Sequence, residues 1–422
     1  MRMTDLIKRY FHNLKWYQCT ELMLMILLTI TIAIDWHYGV WTLILLTLST
    51  IIKCCVTHAV GNPLLSKTTR ISLIAIILYY LVYTASTLYS SNPSEAWSTT
   101  LITMLPLILL PLIFLASDMS YLTQRHRSAM VYLLATTLTL RFFIMSIRAA
   151  VGYMNGTPIR MLIDFHFDPL HHNYLAMYLI ATVALLYTEL TRNWNLPTWK
   201  KWRWIAIVDI MLLTLYMAIM GSRSGLVVMA LVVVACVAHL AFVRKQWLAT
   251  GLMVIGLGVL VGASYFAVPD IYWRIIYSVQ KIASGEQGDS RQMLWKCGLE
   301  VLNGHEIIGH GCDGYWDLLH DKYLEHDFEE GYSHQQYNTH NQYLETTLAT
   351  GLIGLSFMLF FIVLPFAVSL CKKTKNLTFV LFTITYAGCI AFEATFARQM
   401  GMLFIFWWYG LLLLNMPSEK AH

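Results

Sequence analysis

A chain of 422 residues that is 57% hydrophobic and only 13% charged, with a mean hydropathy of +0.57, is too apolar for water. Soluble proteins of this size carry roughly a quarter charged residues, so the composition excludes a soluble globular enzyme and points to the bilayer as solvent. The formal net charge of +5 does not indicate nucleic acid, because the lysines and arginines are parcelled into short loops rather than gathered on one basic face.

A membrane-crossing helix needs about 20 mostly apolar residues. On that basis the sequence predicts twelve spans: 17–35, 38–54, 71–89, 99–117, 129–148, 172–190, 204–220, 223–243, 248–267, 340–369, 377–395 and 400–416. The first two are separated only by a turn at Asp35–Trp36–His37, which leaves their boundary open. No small-residue cleavage site follows the first apolar stretch, Leu22 to Ile34, so no cleavable signal is expected. Lys8, Arg9 and Lys15; Lys67 and Arg70; Arg125 and Arg127; Arg192, Lys200, Lys201 and Arg203; Arg244 and Lys245; and Lys372, Lys373 and Lys375 fall in alternate loops. By the positive-inside rule both termini are then cytoplasmic. The expected fold is an all-α integral membrane protein of about twelve transmembrane helices with one large, partly helical external loop. It divides into spans one to nine (1–267), the loop domain (268–339), and the last three spans with the C-terminus (340–422).

That loop is acidic, with Asp313, Asp317, Asp321, Glu325, Asp327, Glu329 and Glu330, and aromatic, with Tyr315, Trp316, Tyr323, Phe328, Tyr332 and Tyr337. A disordered linker would be poor in aromatics, so a folded and functional segment is expected. Its aromatics suit either sugar stacking or the loop's own core, and its acids either a divalent cation or a solvated face. Cys297 and Cys312 share the segment, which leaves a disulfide open in an oxidising compartment. A smaller external loop runs from Val151 to His171.

Three external helix starts combine a capping residue with chemistry. In Gly221–Ser222–Arg223–Ser224–Gly225, Ser222 is the expected N-cap, and the helix start with Arg223 favours an anion; a snorkelling arginine is the plainer reading. In Asp289–Ser290–Arg291, Ser290 reads as a cap for a helix whose Leu294, Trp295, Gly298, Leu299 and Leu302 recur at helical spacing. A cation in that first turn opposes the dipole unless an anion joins it, against a reading as surface charge. In Thr339–His340–Asn341–Gln342, Thr339 and Gln342 fit a capping box. His340 at the first helical position would stay neutral and able to accept a proton; an interfacial histidine that merely hydrogen-bonds is the alternative.

Arg141 lies inside a predicted span and needs a polar cavity or a partner. Arg148, Arg160 and Arg398 lie on or near the external side and enlarge the cationic basin. His171–His172–Asn173 opens the sixth span and also fits simple interface polarity. His305–Glu306 with His310 lacks the spacing of a zinc protease, and no Gly-rich nucleotide loop is present.

His340–Asn341, nine residues, Gly351, two residues and Gly354 together resemble the histidine motif of O-antigen ligases. Ser290–Arg291–Gln292–Met293–Leu294–Trp295 with Gly309–His310–Gly311 is similar to the other half of that family's external domain. Arg223 resembles its further arginine, and Phe396–Ala397–Arg398 a less distinctive segment. The glycines would let the tenth span pack closely on a neighbour. The resemblance implies a membrane-embedded glycosyltransferase of the GT-C type in the bacterial inner membrane, with its active site facing the periplasm. It implies a donor glycan on undecaprenyl diphosphate, lipid A–core oligosaccharide as acceptor, membrane lipids as surroundings, and no nucleic acid, metal or cofactor. His340 is then the general base and Arg223 and Arg291 the diphosphate ligands. Arg141, Arg148, Arg398, Asn341 and Trp295 are further substrate-binding candidates. An O-antigen polymerase or protein O-oligosaccharyltransferase uses related chemistry, and twelve spans also suit a transporter, though no internal repeat is visible.

Overall fold

The computed structural model describes residues 14–157, 170–193, 200–220, 222–267, 290–332, 337–371 and 376–414. Among them the regular structure is helical, without strands. Helices α1 (Trp16–Ile34) and α2 (Trp36–Thr57) are parted by the single residue Asp35. Its carboxylate accepts the His37 amide at 2.9 Å and so caps α2, which fixes the boundary that the sequence left open. After α3 (Lys67–Ser86), the segment expected as one span at 99–117 is two helices, α4 (Pro93–Thr103) and α5 (Pro106–Ala116), bent by 44°. Pro106 has no amide to continue the ladder, and α4 already carries a π-turn at Ala96–Thr100.

There follow α6 (Gln124–Met154), α7 (His172–Asn193), α8 (Lys200–Met220), α9 (Arg223–Ala238) and α10 (Trp247–Ala267). The external segment supplies α11 (Ser290–Leu302), α12 (Trp316–Glu325) and α13 (Glu329–Tyr332). The chain closes with α14 (Gln342–Leu370), α15 (Leu377–Ile390) and α16 (Gln399–Leu413). Apart from 99–117, each expected span falls on one helix among the described residues. By length and composition eight described helices qualify to cross a membrane, or nine with the bent pair counted as one; α15, α16 and Trp247–Gly256 are apolar but shorter.

Helix α16 is innermost, with every residue from Gly401 to Leu413 buried. It is tied to α1 by Trp407 Nε1 donating to Thr29 Oγ1 at 3.1 Å. Enclosed by protein on all sides, it need not match the width of the lipid. The helix ends sort into two sets. At one end Lys53 Nζ donates to Glu21 (2.6 Å) and to Ser117 (2.8 Å), while the Tyr121 hydroxyl donates to Glu21 (2.6 Å), a buried and mutually satisfied network. The starts of α7, α9, α14 and α16 gather at the other end, where the chemistry lies.

Helix α14 is broken at Gly351, whose φ of 63° and ψ of −162° leave the helical region. The backbone groups released there cannot stay bare inside a membrane bundle. The amides of His310 and Gly311 donate to the carbonyls of Leu348 (2.8 Å) and Ala349 (2.9 Å). The amide of Leu352 donates to Glu306 at 2.7 Å. A Cβ on Gly351 would lie 2.1 Å from the Ile307 carbonyl oxygen. The glycine expected to ease packing between two spans therefore opens one, so that the external segment is stitched into its backbone. At Gly354 an added Cβ would meet the Thr350 hydroxyl of the same helix.

Candidate functional site

Asn341, not Thr339, caps α14: its Oδ1 accepts the amides of Tyr343 (3.0 Å) and Leu344 (3.2 Å). The Thr339 hydroxyl instead donates to the buried Glu345 at 2.7 Å, where the Tyr315 hydroxyl also donates. The expected capping box is thus replaced, since asparagine caps better than threonine and the threonine oxygen is engaged elsewhere. His340 consequently precedes the helix. It takes a left-handed φ of 47°, with its amide bound to Asn338 Oδ1 at 2.9 Å. Such a conformation in a non-glycine residue is costly and persists where its surroundings impose it.

Outside the helix, the ring is governed by a carboxylate rather than by the dipole. His340 Nδ1 lies 3.0 Å from Glu393 Oε1, and Tyr337 packs edge-on against the ring at 5.2 Å. Glu393 Oε2 accepts from Asn173 Nδ2, Asn173 Oδ1 accepts from Ser222 Oγ at 3.1 Å, and Ser222 Oγ accepts the Gly225 amide at 3.2 Å. The histidine is therefore connected to the N-terminus of α9. The helices must approach closely for this, and a Cβ on Gly225 would sit 2.9 Å from that of Ala176 on α7.

Burial pushes the Glu393 carboxyl up. The hydrogen bond and charge of His340, the Asn173 amide and His171 outweigh that and hold it down at about 2. An ionised Glu393 only accepts, so a proton sits on the Nδ1 that faces it, and Nε2 is the ring nitrogen left to turn toward a substrate. His171 marks the extent of the cluster. Desolvation lowers its pKa, Glu393 raises it, and His340, Arg398 and Arg291 lower it further, so all four charged groups act on one point.

Arg223 is the exposed first residue of α9, directly after the Ser222 cap. Arg291 is half-buried on α11, which includes Ser290 as its first residue. That helix seats on α14 at Gly298, where a Cβ would come within 2.8 Å of Leu344. Trp295 faces Phe392 with ring centres 6.5 Å apart, beside Glu393. Leu299, which helical spacing places with the packed residues, is instead 59% exposed. Arg398 precedes α16 and lines a cavity shared with Tyr337 and Asn338. Arg148 is an exposed residue of α6.

Arg141 is buried, and its guanidinium donates to the carbonyls of Ala33 (3.0 Å) and Ile34 (2.6 Å). The partner its charge required is the open C-terminus of α1. Cys297 and Cys312 are separate buried thiols. Gly221, Asp289 and Arg160 lie outside the described residues, as do 158–169 of the smaller external loop and 268–289 of the larger one. Among the described residues no three His, Cys, Asp or Glu side chains converge as metal ligands would.

Glu393 is the residue that motif reading missed. The signal was present, because it is the only charge within the expected span 377–395, and a lone charge in a span demands a partner. Asn173 had been visible only as interface polarity.

The fold and this site define a multi-pass membrane protein with a half-buried histidine paired to a buried carboxylate, and with flanking arginines, at one end of its helix bundle. Residues 208–359 match the family model described as O-Antigen ligase, which supports assignment to that glycosyltransferase-like family and with it an enzyme role. The match takes in Arg223, Arg291, His340, Gly351 and Gly354, and bears out the resemblance drawn from those motifs; Asn173 and Glu393 fall outside it. No curated protein matches the chain.

Proposed function

We propose that this protein is an O-antigen ligase of the inner membrane with both termini cytoplasmic. In this reading it moves a glycan from undecaprenyl diphosphate to a sugar hydroxyl of lipid A–core at the periplasmic face. The observation that carries the reading is the 3.0 Å contact between His340 and Glu393, joined through Asn173 and Ser222 to the helix start that bears Arg223. Nε2 of His340 takes the proton of the acceptor hydroxyl. The freed oxygen attacks the anomeric carbon from the side opposite the diphosphate. The carbon–oxygen bond to the diphosphate breaks, its electron pair leaves with the lipid diphosphate, and the configuration inverts. Arg223 and Arg291 stabilise the charge that develops on that leaving group, so the step calls for no metal. Glu393 holds the ring in the tautomer that leaves Nε2 free and stabilises the imidazolium once it forms.

In this arrangement 1–267 and 340–422 form the membrane bundle, and 268–339 is the periplasmic cover. The test is transfer by purified protein in detergent from undecaprenyl-diphosphate glycan to lipid A–core, with chelator present and with His340→Ala in parallel. Capped lipid A–core from the wild type alone is the expected result. Lengthening of the lipid-linked glycan with lipid A–core untouched would make the protein a polymerase. Full activity in His340→Ala would remove the base assignment.

A further inference from the structure

Two helices measure the same level for the outer edge of the hydrocarbon. Helix α3 runs 20 residues from Lys67 to Ser86, a rise of about 30 Å and so one bilayer core. In α14 the uncharged stretch from Gly351 to Leu370 is also about 20 residues and 30 Å long, and Lys372 and Lys373 follow it. The part of α14 before the break is polar instead, with Gln342, Glu345, Thr346, Thr347 and Thr350.

The external segment is bonded to both marks. The amides of Leu352 and Ile353 donate to the carbonyls of Glu306 (2.7 Å) and Ile307 (3.4 Å). The hydroxyl of Tyr89, in the short turn that ends α3, donates to the Ile308 carbonyl at 2.6 Å, and the Cys312 amide donates to Ser86 Oγ at 3.0 Å. The His305 carbonyl takes the Gly309 amide at 2.8 Å, so the successive carbonyls from His305 to Ile308 all have donors within the protein. A loop surrounded by water can leave such groups to the solvent, whereas a loop against lipid cannot. The side chains face the other way. Ile307 is 68% and Ile308 48% exposed, as are Leu352 and Ile353 just past the break and Leu88 beside Tyr89.

We propose that residues 305–311 form a membrane-docking edge, with Ile307 and Ile308 seated in the boundary between lipid headgroups and acyl chains. The occupant is bilayer lipid, because the patch continues the lipid-facing surface of a span. Leu352 and Ile353 are exposed residues of that span, and their own amides hold Glu306 and Ile307. Tyr89 suits the same level, where an apolar ring and a polar hydroxyl each find their phase. The isoleucines then reach about 5–10 Å into the boundary, and the external segment is hung from the bilayer as well as from the helices.

Fluorescence quenching on the full-length protein in phosphatidylethanolamine–phosphatidylglycerol vesicles tests this. The background carries serine at the exposed Cys55 and Cys371 and, without an added cysteine, serves as the blank. A nitrobenzoxadiazole label is placed at Ile307→Cys or Ile308→Cys, with Leu352→Cys as the lipid-facing reference and Asp321→Cys on α12 as the water-facing one. All four positions are exposed, so these variants are expected to fold. Lipid nitroxides are expected to quench the labels at 307 and 308 at least about three-fold more than the label at 321, most strongly when the nitroxide lies near the headgroup. Aqueous iodide should show the reverse order. Iodide quenching at 307 and 308 equal to that at 321 would put this edge in water and overturn the proposal. Shielding of both labels from both quenchers would overturn it too, by showing a protein cover such as a second copy of the chain.

Discussion

Asn173 and His340 divide one carboxylate between them: Glu393 takes the amide of the first on Oε2 and faces the ring of the second with Oε1. Both oxygens are occupied, so the carboxylate cannot turn, and the ring it faces is fixed in plane and in tautomer. In the transfer proposed above, this arrangement gives Glu393 the part of a positioning residue that acts through His340.

Glu393→Gln tests that role. Glutamine keeps the size of the side chain but not its charge, and it can present an amide N–H to Nδ1, which favours the wrong tautomer. A general base contributes about 10²–10⁴ in rate. Losing its orientation is expected to lower kcat by about ten- to a hundred-fold while KM for the donor stays nearly constant. Steady-state kinetics of the two proteins give the answer; equal fall in kcat and His340→Ala levels of activity would instead make the carboxylate indispensable to the proton transfer itself.

The same pair sets an acid limb in stability. The Glu393 carboxyl is depressed from 4.5 to about 2 on folding. A depressed carboxylate stabilises the folded state above its unfolded value, and that contribution is lost as pH falls through the folded value. The difference in apparent Tm between wild type and Glu393→Gln should therefore be constant from neutral pH to about pH 5, then shrink as pH falls from 4.5 toward 2. Thermal melts across that range in one detergent measure it.

What the sequence revealed follows from what is local. Apolar length located the helices, and cap chemistry located Ser222, because both depend on neighbours within a turn. The start of α14 was misread by two residues because Thr339 is engaged by Glu345 and Tyr315, partners that only the fold brings together. The bend at Pro106 and the break at Gly351 replaced straight spans, since in each case a backbone group finds its partner outside the helix ladder or has none to give. Glu393 was hidden for the same reason. Its partners lie 53 and 220 residues away in the chain.

Arg141 and the two arginines proposed to bind the diphosphate are expected to respond differently to substitution. The Arg141 guanidinium closes the C-terminal carbonyls of α1, so Arg141→Leu leaves those oxygens without their donor. The expected cost is roughly 1–3 kcal/mol of stability, with donor KM unchanged in the protein that remains folded. Arg223→Ala and Arg291→Ala are expected to behave oppositely. Each should retain the wild-type melting profile and lose about 10²–10³-fold in kcat, the effect of removing one donor from a developing anion. Melting curves and donor kinetics on the three variants decide it; a donor KM that rises in Arg141→Leu would return that residue to the binding site.

Gly351→Ala and Gly354→Ala divide the two motif glycines by mechanism. At Gly351 an added methyl group meets both a left-handed φ and the backbone of Ile307, with its oxygen at 2.1 Å and its carbon at 2.2 Å. Backbone cannot rotate aside, and a positive φ with ψ of −162° is a region essentially reserved for glycine that costs an L-residue about 1–3 kcal/mol. The helix break must close or the external segment must leave its bonds to Leu348 and Ala349. Either outcome shifts Gly309–His310–Gly311 and, through α11, Arg291. At Gly354 the obstruction is the Thr350 hydroxyl, the end of a side chain that can change rotamer. Gly351→Ala is therefore expected to lose several kcal/mol of stability and most transfer activity, and Gly354→Ala to keep a folded protein with at most a few-fold loss. Limited proteolysis of the external segment reads the difference directly. Cleavage near residues 306–311 should accelerate in Gly351→Ala alone, and equal protection in both variants would mean that the stitch between loop and span does not depend on the glycine.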